Sequence, residues 1–177
     1  MAADRLAAHE VLLITGSMGS GKTTVLAEAG DILAAQGIPH ASIDLDELGG
    51  LYLPSGAADS VMHRNLRCVW RNYASFGARR LLLARAVETR AELEQCRAAV
   101  SARNLVVCRL KATAEIMRER VRSREIGLFQ QRFVERVAVL DEPLDQAQLE
   151  DFSLTNENCS ITGVAREMLQ RAGWISS

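Results

Sequence analysis

Short runs of consecutive apolar residues alternate along this chain with longer stretches in which apolar positions recur at helical spacing. Such alternation is the signature of a parallel sheet joined by crossover helices. The pattern predicts strands over residues 11–15, 41–44, 80–87, 105–110 and 152–155. It predicts helices over 22–36, 60–76, 90–100, 112–122, 130–140 and 162–171. The third and fourth strands are apolar at successive positions, as strands covered by helices on both faces must be. Gly37, with Pro39 two residues on, stops the first helix. No internal repeat, low-complexity tract or long linker divides the chain, so residues 1–177 are expected to form a single domain.

Composition narrows the partners more than the fold. Hydrophobic residues make up 48% and charged residues 24%, ordinary for a globular protein. A net charge of -1 offers no attraction to nucleic acid or to an anionic membrane surface. The apolar runs VLLI and LLLA are too short to span a bilayer, and MAADRLAAHE lacks the basic start and apolar centre of a secretory signal. Cys68, Cys96, Cys108 and Cys159 form no CxxC pair and have no histidine at ligand spacing. Cys68 and Cys108 have apolar neighbours and are read as reduced core residues, which points to the cytoplasm.

The chemistry begins in VLLITGSMGSGKTTV, residues 11–25. Gly16, Gly21, Lys22 and Thr23 satisfy G-x-x-x-x-G-K-[ST], which arises by chance in fewer than about one in a hundred chains of this size. Here the motif also follows an expected strand and opens an expected helix, the context that gives it meaning. The loop of Gly16, Ser17, Met18, Gly19, Ser20 and Gly21 can turn main-chain N–H groups around a phosphate chain, where a Cβ would block close approach. Lys22, Thr23 and Thr24 open the helix, whose positive end faces the same anion. Lys22 is placed to neutralise the β/γ oxygens of ATP, and the Thr23 hydroxyl to ligate Mg²⁺. Of the 21 basic residues only Lys22 and Lys111 are lysines, so the guanine-reading N-K-x-D of switch GTPases is absent.

Two further stretches point to phosphoryl transfer to a small molecule. HASIDLDEL puts Asp44 at the carboxyl end of the second strand, on the rim where open α/β sheets bind ligands. Asp44 can serve there as proton acceptor, as partner of Mg²⁺, or as the cap of the following turn, and Asp46 can share or replace the first two roles. RERVRSREIGLF carries Arg118, Arg120, Arg122 and Arg124, of which 120 and 124 share one helical face. Such a run is either a solvated face or a source of phosphate contacts in a lid hinged at Gly127, over about residues 118–140.

On these residues the chain resembles the small P-loop kinases grouped around gluconate kinase, adenylylsulfate kinase and chloramphenicol phosphotransferase. The resemblance runs from GSMGSGKTT through SIDLDEL to the segment from RLKATAEIMRERVRSREIGLF to DEP, and then a final strand and helix. Arg120, Arg124, Gly127, Phe129, Leu140, Glu142 and Pro143 stand where gluconate kinases carry their lid pattern. It implies a P-loop NTPase fold, a three-layer α/β sandwich of roughly five parallel strands with a helical lid. It further implies phosphate contacts from Arg120 and Arg124, a base or magnesium role for Asp44, and an adenine pocket that includes Thr155 and Asn156. The chain departs from gluconate kinases after Asp44, where LDELGGLYLPSG replaces a His-Pro pair, and at Gly127-Leu128-Phe129, where they carry Gly-His-Phe. The third strand ends without an acidic pair, although Glu88 lies just beyond it.

The expected activity is therefore ATP-dependent phosphorylation of a small hydroxyl-bearing molecule, with Mg²⁺ arriving on ATP. The alternative is a nucleotide-binding accessory protein that has lost transfer. Acceptor contacts are expected from the stretch between Leu45 and Phe76 or from Arg85 and Glu88. Within it, Trp70 and Tyr73 form either a core stripe with Leu66 or a stacking platform, and Arg64, Asn65 and Asn72 could bond a polyol. His9, His40 and His63 suggest no metal site, and a homodimer is left open.

Overall fold

The computed structural model describes residues 9–51 and 58–176, with the side chains of residues 58, 59 and 138 left aside. The stretch LGGLYLPSGAA, residues 48–58, which its glycines mark as a flexible loop in the sequence, therefore lies partly outside the described residues. Five strands form one sheet: β1 (Glu10–Thr15), β2 (His40–Asp44), β3 (Arg80–Ala84), β4 (Asn104–Lys111) and β5 (Phe152–Thr155). Their order is β2-β3-β1-β4-β5 and every pairing is parallel. The helices are α1 (Lys22–Ala35), α2 (Leu45–Leu48), α3 (Ala58–Ser75), α4 (Arg90–Val100), α5 (Ala114–Arg124), α6 (Gln130–Ala147) and α7 (Ile161–Arg171).

The near-continuous apolar runs of β1, β3 and β4 follow from the two-residue period of a strand, which sends neighbours to opposite faces. Leu12, Ile14, Leu82, Ala84, Cys108 and Leu110 pack on one side with Val25, Leu26 and Leu33 of α1 and Ala165, Met168 and Leu169 of α7. Val11, Leu13, Leu81, Leu83, Leu105 and Val107 pack on the other with Met62, Leu66 and Trp70 of α3 and Leu93 and Cys96 of α4. Each fully buried leucine contributes about 1.5–3 kcal/mol, so the two layers fix the sheet and leave its carboxyl edge to carry chemistry. A third, smaller cluster of Met117, Val121, Val134 and Val137 joins α5 to α6, with Met18 of the glycine loop packed against it. α5 and α6 thus share a core of their own.

Local signals explain most boundaries. Thr89 and Glu92 form a reciprocal capping box at the start of α4, and the Ser160 hydroxyl accepts the Gly163 N–H at the start of α7. β3 is shorter than expected and ends at Ala84. The Arg85 N–H still reaches the Ile14 carbonyl at 3.1 Å, but the Val87 N–H turns to the Thr15 hydroxyl, also at 3.1 Å, and leaves the ladder. α6 runs past the expected end at residue 140 and contains Pro143. The ring removes one N–H and orphans the carbonyl one turn back, at Val139, which is exposed and can be hydrated. Leu140 and Leu144 stay buried on either side and carry the apolar stripe through.

The cysteine expectation is half right. Cys108 and Cys96 are buried, and burial pushes their thiols up to about 12 and about 11. Cys68 is exposed, on the solvent side of α3. All four thiols are free. No helix of the described residues is long and apolar enough to cross a membrane.

Candidate active site

The turn from β1 into α1 has an unusual backbone. Gly19 and Gly21 lie in left-handed conformations, with φ of 78° and 96°. A Cβ on Gly19 would strike the Met117 backbone, and one on Gly21 would strike the Asn156 amide, so conformation and space both demand glycine. Gly21 is also the N-cap of α1, with no side-chain cap and no acidic residue in the first turn. The first α1 bond of the helical type runs from the Val25 N–H to the Gly21 carbonyl at 2.9 Å. The N–H groups of Lys22, Thr23 and Thr24 precede it and are available to an external acceptor, at the positive end of the helix. The buried Ser20 hydroxyl likewise has no protein partner. This cradle fits a phosphate chain.

The side chains around the cradle converge. Lys22 Nζ donates to the Ser17 carbonyl at 3.1 Å. Burial holds the Lys22 ammonium below its ordinary value, opposed by the nearby Asp46 and Asp44 carboxylates and assisted by Arg124. The Thr23 hydroxyl donates to Asp44 Oδ2 at 2.7 Å, and Asp44 Oδ1 accepts the Asp46 N–H at 3.1 Å. Asp44 therefore caps α2 with one oxygen and meets Thr23 with the other. That pair of hard oxygen donors suits Mg²⁺, which takes one or two protein oxygens beside phosphate and water.

A cleft of about 740 Å³ opens at the carboxyl edge of the sheet, and Lys22, Thr23, Asp44 and Arg124 all line it. Asp46, Glu47, Arg85, Glu88, Glu92, Glu125 and Arg136 line it as well. Another hollow of about 680 Å³, between Pro39 and Phe76, contains no residue of the glycine loop.

Each expected residue now has a position. Arg124 faces the cleft, and its guanidinium meets Glu125 at 2.8 Å. Arg120, on the same helical face, reaches the Gly19 carbonyl at 3.3 Å and the Asn156 carbonyl at 2.9 Å, so it braces the glycine loop. Asn156 is buried, and its side-chain amide donates to the Ser20 carbonyl at 2.7 Å. The Ser17 hydroxyl donates to the Val137 carbonyl of α6 at 3.1 Å, tying the loop to that helix.

On the acceptor side the expectations scatter. Trp70 is core, set edge-on to His9 at 4.7 Å, whereas Tyr73 is exposed and lies by the hollow near Phe76. Asn65 donates to the Leu48 carbonyl at 2.9 Å, while Arg64 and Asn72 are exposed and do not line the cleft. Arg85, half-buried just beyond the end of β3, does line it, 3.6 Å from Asp46. Arg136, paired with Glu88 at 3.2 Å, is a cleft residue that the sequence does not single out. Arg136 belongs to a charged helix far along the chain, and nothing local distinguishes it from a solvated arginine.

No known family profile and no curated protein sequence matches the chain. Solved structures do. A gluconokinase from Sinorhizobium meliloti 1021 is 17% identical, with a TM-score of 0.59 over 94% of this chain and 93% of that one. The APS kinase of Mycobacterium tuberculosis, solved in complex with AMPPNP and APS, is 21% identical, with a TM-score of 0.60 over 93% and 97%. Shikimate kinase from Acinetobacter baumannii, in complex with shikimate, is 15% identical, with a TM-score of 0.57 over 96% of both chains. At these identities the likeness is one of fold. The chain has the P-loop NTPase fold, an α/β sandwich around a five-stranded parallel sheet, and its structural neighbours are small P-loop kinases.

Proposed function

We propose that this protein is an ATP-dependent kinase that transfers the γ-phosphate to a hydroxyl of a small molecule. One observation carries the reading: the uncapped start of α1, Lys22, the Thr23–Asp44 pair and Arg124 all meet at one cleft on the sheet's carboxyl edge. The glycine loop binds the phosphate chain of ATP through main-chain N–H groups, and Lys22 neutralises the β/γ oxygens. Thr23 and Asp44 would hold Mg²⁺, which when bound shields the triphosphate charge. Arg124 swings onto the transferring group, and Arg120 keeps the loop in shape while Asn156 floors the nucleoside end.

Asp46 is the better proton acceptor of the two acids. Both oxygens of Asp44 are engaged, whereas Asp46 faces the cleft and is steadied by Arg85 at 3.6 Å. In the transfer, the acceptor oxygen forms the new bond to the γ-phosphorus and the bond to the bridging oxygen breaks. ADP leaves with that electron pair, and the hydroxyl proton passes to the Asp46 carboxylate.

The test is an ADP-release assay over sugars, nucleosides and hydroxylated antibiotics, with Lys22→Ala as control. Acceptor-dependent release that vanishes in the control supports the reading, and release at near wild-type level in the control overturns it. The absence of a carboxylate at the end of β3, where Ala84, Arg85 and Ala86 stand, favours a second reading: a nucleotide binder without transfer. Saturable ATP binding with no acceptor-dependent release across the panel would select it.

A further inference from the structure

The charged lining of the cleft has a surplus of acid. Apart from Lys22, Asp44 and the Arg124–Glu125 pair, the charged side chains that line it among the described residues are Arg85 and Arg136 against Asp46, Glu47, Glu88 and Glu92, a formal balance of two negative charges. Neither arginine offers an unopposed guanidinium: Arg85 Nη1 lies 3.6 Å from Asp46 and Arg136 Nη2 lies 3.2 Å from Glu88. Glu47 is exposed and has no partner among the described residues. Glu92 spends only Oε2, on the N–H groups of Glu88 and Thr89 at 2.8 and 3.2 Å. A carboxylate or phosphate ester entering here would meet arginines whose charge is already offset by Asp46 and Glu88, next to a triphosphate that is itself anionic. An ammonium meets the opposite situation, with carboxylates already in place to accept its three N–H donors. Nor is the surplus a metal site, because among the described residues no three His, Cys, Asp or Glu side chains are gathered closely enough to hold an ion.

We infer that the acceptor is a polyhydroxylated amine, cationic at neutral pH, whose ammonium is read by Glu47 and Glu88 while one of its hydroxyls faces Asp46. The inference rests on the kinase reading and deepens it. In this arrangement Glu47 and Glu88 determine specificity, and Arg136 sets the position of Glu88.

Three compounds with one carbon skeleton test it: gluconate, glucitol and 1-amino-1-deoxyglucitol, which end in a carboxylate, a hydroxymethyl and an aminomethyl group. With ATP and Mg²⁺, kcat/KM for ADP release is expected to favour the amine over gluconate by at least about tenfold, with glucitol between, the factor that one moderately screened charge contact supplies. In the Glu47→Gln, Glu88→Gln double variant that preference is expected to shrink severalfold, mainly through a higher KM for the amine. The same order is expected for binding to protein loaded with ADP and Mg²⁺, read by ligand-observed saturation-transfer NMR. Gluconate equal to or better than the amine, indifference of the preference to the double variant, or no binding and no turnover with any of the three, each overturns the inference. Amine-first binding without ADP release would instead remove the kinase reading and leave the charge preference standing.

Discussion

Two sets of residues line the cleft, and they are made differently. The glycine loop presents mostly backbone: two left-handed glycines, an uncapped helix start, and carbonyls braced by Arg120 and Asn156. The remaining charged lining is side chain, with arginines and acids drawn from α2, the turn after β3, α4 and α6. A backbone cradle recognises what every nucleoside triphosphate shares, and it tolerates little change because conformation and space are both spent. A wall of long charged side chains can be rewritten one residue at a time. Under the proposed function, the glycine loop would bind the nucleotide and the charged side chains would select the acceptor.

That contrast can be broken most directly at Lys22. Lys22→Ala is expected to lower kcat by about 10³-fold or more, since it removes a preorganised charge from the transferring group. Circular dichroism should show the fold retained. Next in size, Asp46→Asn is expected to lower kcat by about 10²-fold or more while leaving the Kd for ATP within a few-fold, the mark of a lost proton acceptor. A parallel rise in Kd would instead assign Asp46 to nucleotide binding. Gly21→Ala is expected to weaken nucleotide binding by about 10- to 100-fold, because it strains a backbone at φ 96° and crowds Asn156. Equilibrium dialysis with labelled ATP reads that effect.

Asn156→Ala is expected to be milder in binding and clearer in stability, costing about 1–3 kcal/mol in a denaturant titration by leaving the Ser20 carbonyl unpaired. The smallest effect is in pH. Burial lowers the Lys22 ammonium below its ordinary 10.5, so the folded state is penalised while Lys22 is charged and relieved as pH rises through the folded value. Lys22→Met should therefore melt no lower than wild type at neutral pH without nucleotide. Nucleotide affinity should fall on the alkaline side at a lower pH than 10.5.

The same division governs what the sequence discloses. The glycine loop is legible because its requirement is local: glycines, lysine and threonine at fixed spacing, after an apolar run and before a helix. Asp44 is legible for the same reason, since the end of a strand fixes where its carboxylate goes. The five strands are legible because parallel strands buried on both faces are apolar throughout. What escapes is set by distant partners. Glu88 meets Arg136 and Ser17 meets Val137 across long stretches of chain, and no spacing rule foretells either pair. Arg120 and Arg124 look alike as one helical face, yet one is spent on carbonyls of the glycine loop and the other faces the cleft. The run of α6 through Pro143 depends on burial of Leu140 and Leu144, which only tertiary packing provides.

The central claim is that the turn between β1 and α1 grips the phosphates of ATP and that Lys22 makes the grip count. Isothermal titration of the protein with ATP and Mg²⁺ tests it most directly. A saturable heat with one site per chain is expected, at least about tenfold weaker in Lys22→Ala. A flat titration up to millimolar ATP, or an identical isotherm in the variant, would contradict it.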